Sequence, residues 1–394
     1  MPPEEAARPL RVCYFGTYRA SYVRNQVLIE GLRRQGVAVE TCHAPLWRGT
    51  PDRIEQASGG WRRPAFWLRV LQAYGRLLWA YTRCGDYDVM LAGYPGQFDV
   101  YLARLLTWKR RRPLALDVLM SLHLIAEERG LTRESPLSGR LLFWLEKFGL
   151  RLPDLLLADT HEYRDYYCRK YGLPADRFAL VPLGLDERRF YPRPDIQPPD
   201  TPFRVAYAGT YLPLHGLETM VRAAALLAEQ ADVQFDFFGD GQERAPAEAL
   251  AAELGLRQVR FNSWLEPDKV PAALASAHVC LGVFGATQQA RFTVQNKIWE
   301  AMAMARPVIT GDSPTVRRDL AHLQHVYLVE REDPQALAAG ICALKDDPGL
   351  RLRLGAGGYA RSQHNNISST GRCVKAALCD LLAKRGAPAN AQLA

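Results

Sequence analysis

Five prolines fall within thirteen residues near the middle of the chain, between Phe190 and Pro202. Proline fixes its own φ angle and has no N–H group, so this segment can continue neither a helix nor a central strand. It divides the 394 residues into two parts, each of domain size. We predict an N-terminal domain over residues 1–190, a hinge over 191–202, a C-terminal domain over 203–367, and a final helix and tail over 368–394.

Both parts alternate short apolar runs with longer stretches whose apolar residues repeat about every 3.6 positions, a period typical of helices. Continuous apolar strands alternating with helices indicate parallel sheets covered on both faces. The predicted fold class is therefore α/β, with two doubly wound Rossmann-like domains. An inter-domain cleft should bind ligands beyond the carboxyl ends of the strands. The expected strands cover residues 11–15, 37–42, 87–94, 114–119, 155–158, 178–183, 203–208, 233–238, 259–262, 279–283, 307–310 and 326–329, with helices including 141–152, 217–229, 245–254, 296–304 and 368–385.

Positive charge is concentrated in residues 1–150, which contain 22 basic and 14 acidic side chains and so carry the whole net charge of +8. Arginines alternate with aromatic residues over 62–83, and a second basic cluster covers 109–112. This pattern suits contact with anionic lipid headgroups. A solvated helix with a buried aromatic stripe, or a nucleic-acid surface, would show it too. We expect an anionic membrane surface as a partner and no nucleic acid.

The chain shows no apolar stretch of the roughly 20 residues that a membrane span needs, and Met1–Glu5 lacks the features of a signal peptide. We therefore expect a cytoplasmic protein, at most peripheral at the inner face of the membrane. The eight cysteines include no C-x-x-C pair. Reduced core thiols are expected rather than disulfides or a zinc site. The segment Asp86-Tyr-Asp88 is interpreted as a turn, and no metal site is predicted.

Two segments of the C-terminal part have the residue types that bind phosphate. Gly209 follows a predicted strand and Gly216 precedes a predicted helix, so backbone N–H groups and a helix N-terminus can face an anion there. Lys297 and Glu300 lie three positions apart on one helix face. A cation there suits a diphosphate, and a carboxylate suits a ribose diol. Glycines placed for turn geometry alone, and an ordinary surface salt pair, are the alternative interpretations.

Five motifs together resemble the GT-B glycosyltransferases of the large family-4 class, which retains anomeric configuration. Val181–Pro192 resembles the signature V-P-x-G-(V/L)-D-x-x-x-F-x-P, and Gly209–Gly216 resembles the loop that opens the donor domain. Phe238–Gly241 resembles the (V/F)-G-D-G turn of that class, and Val259–Leu265 resembles the loop whose backbone reads the nucleotide base. Asn296–Thr310 resembles the helix ending in E-A-(M/L)-A-x-G-x-P-V-I. The five occur in the order that the family has them.

The resemblance implies transfer of a sugar from a nucleoside-diphosphate sugar, held by the C-terminal domain, to a polysaccharide, glycolipid or lipid-linked acceptor held by the N-terminal domain. It implies no metal or other cofactor, and a terminal helix that crosses back onto the first domain. In this family the position of Glu300 holds the donor's ribose. The donor-binding residues expected are Gly209, Thr210, His215, Gly216, Gly239, Trp264, Arg291, Asn296, Lys297 and Glu300.

The acceptor side and the catalytic groups are expected at the ends of the N-terminal strands. Acceptor or cleft contacts are predicted for Gly16, Arg19, Arg24 and His161. The catalytic candidates are Asp117 and His123, because a general base belongs at such strand ends. Lys297 is the third catalytic candidate, since a positive charge beside the leaving group stabilises its departure.

The sequence departs from the family pattern at three positions. The family usually has two glutamates eight residues apart, and Phe292 stands where the first would be. Thr210 and His215 stand where an arginine and a lysine usually neutralise the diphosphate; Lys297 and Arg291 are the predicted substitutes. Two alternatives therefore stay open: a GT-B sugar-nucleotide epimerase, and a non-catalytic subunit that binds a nucleotide sugar or a partner enzyme.

Overall fold

The structure of the chain is a computed structural model that describes residues 8–46, 63–230 and 232–386. It contains two compact units. Unit 1 ends at Gly184 and resumes at Ile367, and unit 2 runs from Leu185 to Asn366. The proline-rich segment 191–202 therefore lies in unit 2, because Leu185 and Phe190 already pack into the core of that unit.

Twelve strands and sixteen α-helices alternate along the described residues. The strands are β1 (Arg11–Gly16), β2 (Ala38–His43), β3 (Val89–Ala92), β4 (Leu114–Asp117), β5 (Leu155–Ala158), β6 (Phe178–Leu180), β7 (Phe203–Ala208), β8 (Val233–Phe238), β9 (Val259–Asn262), β10 (Val279–Leu281), β11 (Val308–Gly311) and β12 (Tyr327–Val329). The helices are α1 (Val23–Arg34), α2 (Pro64–Thr82), α3 (Val100–Arg110), α4 (Leu122–Glu128), α5 (Leu131–Glu134), α6 (Pro136–Gly149), α7 (His161–Tyr171), α8 (Leu217–Leu226), α9 (Arg244–Glu253), α10 (Val270–Ala275), α11 (Gln288–Phe292), α12 (Asn296–Ala303), α13 (Pro314–Asp319), α14 (Pro334–Asp346), α15 (Pro348–Ser362) and α16 (Ile367–Lys384).

Each unit is built on a six-stranded parallel sheet, which confirms the predicted α/β class with two doubly wound domains. The strand order is β2-β1-β3-β4-β5-β6 in unit 1 and β12-β11-β10-β7-β8-β9 in unit 2. Every residue of β3, β4 and β5 is buried, as expected for strands covered by helices on both faces. In both sheets the first strand lies inside, so the strand order reverses beside it. Ligands bind next to such a reversal in doubly wound sheets.

The terminal helix α16 belongs to unit 1 and packs along α1. Their side chains share a core with β1, in which Tyr14, Leu28 and Leu378 are fully buried. The two helix backbones meet at Gly31 and Gly371. A Cβ on Gly31 would lie 2.7 Å from the Ile367 carbonyl oxygen, and a Cβ on Gly371 would overlap the Gly31 carbonyl group. Both positions therefore need glycine for close approach of the helices.

Among the residues that the structure describes, no helix has both the length and the apolar character required to cross a lipid bilayer.

The Gly31–Gly371 contact predicts that Gly371→Ala destabilises unit 1 although alanine favours helices. The added methyl group must push α16 away from α1, at a cost of about 1–3 kcal/mol in the free energy of unfolding. Urea unfolding followed by circular dichroism measures this cost.

Gly75→Ala is the matched control, because Gly75 lies in the middle of α2 with no atom within 4 Å of the position a Cβ would take. That variant should gain up to about 1 kcal/mol from helix propensity. A similar gain in both variants would show that the helices do not touch at Gly371.

Candidate active site

The C-terminal end of β7 brings a glycine turn against a lysine. Gly209, the residue after β7, has a φ of +152°, a conformation that L side chains rarely adopt. A Cβ at this position would lie 2.5 Å from Lys297 Nζ and 3.1 Å from Lys297 Cε. Only glycine therefore allows the ammonium group of Lys297 to approach this turn.

Lys297 is the second residue of α12, and its ammonium group contacts Tyr207 of β7. Its Nζ donates a hydrogen bond to Tyr207 Oη at 2.5 Å and lies 4.0 Å from the centroid of the tyrosine ring. Burial lowers the pKa of Lys297 to about 7, although nearby Glu300 opposes this shift. The amine of Lys297 is therefore about half protonated at neutral pH. A bound anion stabilises its ammonium form, because the anion replaces the hydration lost on burial.

Glu300 lies one helical turn after Lys297. Burial raises the pKa of Glu300 to about 7, while Lys297 and Arg189 lower it. Two groups of opposite type thus change protonation close to neutral pH in one small region. Such paired shifts from burial and a specific charge partner are typical of functional sites.

His215 shapes the loop between Gly209 and the helix that follows. It is buried, and its Nδ1–H donates to the Thr210 carbonyl oxygen, which also accepts from Tyr207 Oη at 3.2 Å. The His215 carbonyl oxygen accepts from the Phe284 N–H at 3.0 Å. His215 is therefore tied into the loop.

Gly216 connects this loop to α8 with a φ of +70°. A Cβ there would lie 2.6 Å from the Gly285 nitrogen, so the β10–α11 loop packs directly on this turn. Gly216 is the N-cap residue of α8 and makes no side-chain hydrogen bond to the first N–H groups of the helix. A helix N-terminus with unpaired N–H groups and partial positive charge favours a bound anion.

A buried arginine that the sequence patterns did not indicate supports the same region. The Arg331 guanidinium donates to the carbonyl oxygens of Asp312 at 2.7 Å, Gly285 at 2.8 Å and Gly311 at 3.0 Å. Burial and the charge of Arg291 lower the pKa of Arg331 to about 10. Arg331 thus joins the ends of β10 and β11 to the loop at Gly216. Its sequence signal is a charge two residues after the predicted strand 326–329.

The remaining donor-side predictions lie around this turn or at its edges. Gly239 follows β8, and a Cβ there would overlap the Gly209 carbonyl oxygen. Asn296 begins α12, and its Oδ1 is buried without a hydrogen-bond partner among the described residues. Arg291 is exposed near the end of α11. Trp264 follows β9 with 57% of its surface exposed.

In unit 1 the structure corrects two of the predicted site residues. Asp117 at the end of β4 and Arg24 in α1 are both fully buried. Two hydrogen bonds of 3.0 and 3.1 Å join them, and Arg24 also donates to the carbonyl oxygens of Val181 and Pro182. We therefore assign Asp117 and Arg24 a structural role, because neither charge is accessible to an acceptor.

His123, near the start of α4, is partly exposed, with 13% of its side-chain surface accessible. Its Nδ1 lies 3.6 Å from Glu127 Oε2, and burial lowers its pKa. The backbone beneath it is held by Glu146, a buried carboxylate that accepts hydrogen bonds from Ser121 Oγ at 2.6 Å and the Leu122 N–H at 2.9 Å. Burial raises the pKa of Glu146. Glu146 was not indicated by the sequence, since it lies within a helical pattern.

The other predicted residues of unit 1 also follow strand ends. Gly16 ends β1, and the next residue, Thr17, donates from its N–H to buried Asp99 at 2.7 Å. Burial raises the pKa of Asp99 to about 6. Arg19 is half-buried in the loop after Gly16, and His161 is half-buried at the start of α7.

The predicted turn at Asp86 and Asp88 lies just before β3, at the N-terminal end of that strand, whereas the candidate site residues follow the C-terminal ends of strands. Asp86 pairs with Arg11 at 2.6 Å and with Arg112 at 3.1 Å, and Asp88 pairs with Arg8 at 2.7 Å.

Solved structures with the same architecture define the class of fold. The chain superposes on sucrose-phosphate synthase of Thermosynechococcus elongatus with a TM-score of 0.71 and 19% identity, over 96% of this chain and 100% of that one. Anabaena HepE in complex with UDP-glucose gives a TM-score of 0.66 and 16% identity, over 94% and 99% of the two chains. The two Rossmann-like units thus have the GT-B fold.

Family comparisons narrow the class. Residues 202–347 match the family described as Glycosyl transferases group 1, and residues 21–184 match the Glycosyl transferase 4-like domain. The chain belongs to the group 1 glycosyltransferases, as the sequence motifs predicted.

Curated relatives agree with this assignment. The lipopolysaccharide core biosynthesis glycosyltransferase LpsD of Rhizobium meliloti is 30% identical over 167 residues, which cover 42% of this chain and 46% of that protein. The MMP alpha-(1->4)-mannosyltransferase of Mycolicibacterium hassiacum is 27% identical over 215 residues, covering 54% and 50%. The chain spans about half the length of the curated relatives that it matches.

The buried pair in unit 1 predicts that Arg24→Met strongly destabilises the protein. The substitution leaves the Asp117 carboxylate buried without its partner, which typically costs about 3–5 kcal/mol. Chemical denaturation measures the loss, and Arg24→Met combined with Asp117→Leu should recover part of it.

Arg222→Ala is the control, because its ion pair with Glu218 is exposed and should contribute at most about 1 kcal/mol. If Arg24→Met unfolds at the same denaturant concentration as this control, the structural role of the pair is wrong.

Proposed function

We propose that the protein is a retaining glycosyltransferase that moves a sugar from a nucleoside-diphosphate sugar to a glycan, glycolipid or lipid-linked acceptor. The observation that carries the proposal is the Lys297 ammonium group, which is partly desolvated and lies against the Gly209 turn, in the loop that leads through Gly216 to the N-terminus of α8. This combination suits a diphosphate. Structural relatives add support, since HepE structures contain UDP and UDP-glucose.

In this proposal the donor residues of unit 2 divide the work. Lys297 and the N–H groups of α8 hold the diphosphate, with Arg291 as a second cation, and Glu300 holds the ribose diol. The bond between the anomeric carbon and the departing phosphate oxygen breaks, and the acceptor hydroxyl oxygen bonds to the same face of that carbon. Its proton moves to the departing phosphate. The positive charges stabilise that phosphate, an effect worth several kcal/mol per well-placed group.

His123 is the unit 1 residue proposed to contact the acceptor, since Asp117 is enclosed. A His side chain with a lowered pKa is neutral at physiological pH and can accept a hydrogen bond from a sugar hydroxyl. Release of nucleoside diphosphate only when acceptor is present supports the transferase. Turnover of the donor without acceptor supports the epimerase alternative, and tight donor binding without turnover supports the non-catalytic subunit.

A lipid-linked acceptor is favoured by one surface of unit 1, formed by α2, α3 and α6, which we call the tryptophan face. Eleven of the seventeen exposed large hydrophobic side chains among the described residues lie on these three helices. They include Trp67 at 51%, Trp79 at 58%, Trp108 at 77% and Trp144 at 48% exposure. The helices adjoin: Arg110 lies 4.7 Å from the Tyr81 ring, and Tyr101 Oη donates to the Leu145 carbonyl oxygen at 2.6 Å.

The charge of the tryptophan face favours an anionic membrane as its partner. The three helices contain seven basic residues and a single carboxylate, Glu146, which is fully buried. Each basic residue near an anionic bilayer contributes about 1 kcal/mol to binding. The proposed surface extends the predicted segments 62–83 and 109–112 by α6; Arg62 itself lies outside the described residues. A peripheral position at the inner face of the membrane is proposed accordingly.

The donor site predicts a pH-dependent affinity for nucleotide. A diphosphate stabilises the ammonium form of Lys297, whose pKa in the free protein is about 7, so binding takes up a proton above that pH. The affinity for UDP should fall above pH 7, by at most about tenfold per pH unit. Isothermal titration calorimetry from pH 6 to 9 measures it.

In Lys297→Arg the guanidinium stays charged over this pH range. The affinity for UDP should therefore depend less on pH above pH 7 than it does in the wild type, and Glu300 is present in both proteins.

Nucleotide sugar at 100 times its Kd should stabilise the wild-type protein by ~2.7 kcal/mol. Lys297→Ala and Glu300→Ala should each reduce the rise in melting temperature that this ligand produces. Lys269→Ala, an exposed lysine of the same unit, is the control. Unchanged shifts in both site variants would place the donor elsewhere.

The tryptophan face predicts binding to vesicles that contain anionic lipid, with release at high salt. Replacing Trp79, Trp108 and Trp144 together by serine should weaken binding at least about tenfold, because each buried indole contributes more than 1 kcal/mol. Vesicle flotation measures the bound fraction. Trp264→Ser, an equally exposed tryptophan of unit 2, should bind like the wild type. Equal binding by all three proteins, or none by the wild type, contradicts membrane docking.

A further inference from the structure

Three cysteines that are far apart in the sequence meet in unit 1. Cys13 lies in β1, Cys42 in β2, and Cys84 two residues after α2. Their sulfur atoms all lie within 4.8 Å of one another. They are 0%, 1% and 5% exposed, and all three are free thiols. We call them the cysteine cluster.

The register of the parallel strands explains the meeting. In the β1–β2 pair, Cys13 lies opposite Glu40, and Cys42 lies two residues further along β2. Residues two apart on a strand share one face, so Glu40 and Cys42 both lie on the face of the sheet to which Cys13 points. The chain after α2 brings Cys84 to that same face.

Glu40 supplies a carboxylate at the edge of the cluster. Its Oε2 accepts from the N–H of Gly85, the residue next to Cys84, at 3.1 Å. The side chain is exposed, in contrast to the three thiols. Glu40 therefore offers an oxygen atom as the fourth ligand beside the three sulfur atoms. Its exposed position also gives an ion a route of entry from solvent.

We propose that Cys13, Cys42, Cys84 and Glu40 form a binding site for one zinc ion. Zinc in structural sites is bound by four ligands of this kind in a tetrahedron. With Zn–S distances of about 2.3 Å, two sulfur ligands lie roughly 4 Å apart. The three sulfur atoms already lie within 4.8 Å of one another, and the site closes when the exposed Glu40 side chain turns its carboxylate onto the ion. Binding releases the thiol protons to solvent. No transfer of electrons is involved.

The surroundings suit the charge of such a site. Zinc with three thiolates and one carboxylate carries an excess of negative charge. The Arg110 guanidinium lies close by, donating to the Gly85 carbonyl oxygen at 2.9 Å and the Cys84 carbonyl oxygen at 3.4 Å. The role of the ion is structural, because all four positions are filled by protein. It ties edge strand β2 and the end of α2 to the centre of the sheet.

Cobalt is the direct probe, since Co²⁺ takes the place of Zn²⁺ and reports its ligands by absorption. Reduced, chelator-treated protein titrated with Co²⁺ should bind one ion per chain, with an intense thiolate-to-cobalt charge-transfer band and the strong d–d bands of tetrahedral coordination. Zn²⁺ should then displace the cobalt. Protein purified without chelator should contain about one zinc per chain by mass spectrometry.

Variants separate the site from unspecific binding. Cys42→Ser should lose the charge-transfer band, and Glu40→Gln should raise the Kd at least ~10-fold while keeping the band. Cys168→Ser, a partly exposed cysteine of unit 1 outside the cluster, should behave as the wild type.

Absence of the charge-transfer band from reduced wild-type protein overturns the proposal, as does the same band in Cys42→Ser. Should Cys42→Ser fail to fold, the wild-type spectrum and the exposed position Glu40 decide. An unchanged Kd in Glu40→Gln overturns the four-ligand site. These outcomes do not depend on the proposed function, because none of the four proposed zinc ligands is a proposed donor-binding residue.

Discussion

The approach of the Lys297 ammonium group to the Gly209 turn is the constraint on which the candidate site depends. The lysine occupies space that any side chain at position 209 would need, and Tyr207 of β7, the strand that leads into the turn, accepts a hydrogen bond from its nitrogen. Burial there lowers the stability of the charged form. A dianionic ligand restores what the ammonium loses on burial, so the site is stabilised most when it is occupied.

Unit 1 uses buried charge differently. Arg24 and Asp117 satisfy each other and the carbonyl groups at the end of β6, and neither is exposed. Their pairing joins α1 to strand ends, which is a structural task. On the outer surface of the same unit, the tryptophan face exposes tryptophans among cations, and its single carboxylate is buried. A polar interior contact and an apolar exterior together fit a domain that faces a lipid surface, as we propose.

Much of the fold could be predicted from the sequence, because apolar runs and glycine turns are local signals. The strands at 155–158, 203–208, 233–238 and 259–262 have the predicted bounds. Other strands, such as β3, are shorter than their predicted runs.

Burial and long-range meetings could not be predicted in the same way. Asp117 follows a strand as a catalytic base would, and only the fold shows that Arg24 encloses it. The cysteine cluster depends on the register of β1 and β2, which no local spacing motif encodes. Arg331 acts through carbonyl groups at the ends of two strands, β10 and β11, for the same reason. The central claim is that unit 2 holds a diphosphate between the Gly209 turn and α12. A crystal structure of the wild-type protein with UDP tests it most directly: the account predicts phosphate oxygens within hydrogen-bonding distance of Lys297 Nζ and of the first N–H groups of α8, and a nucleotide bound elsewhere in the chain would contradict it.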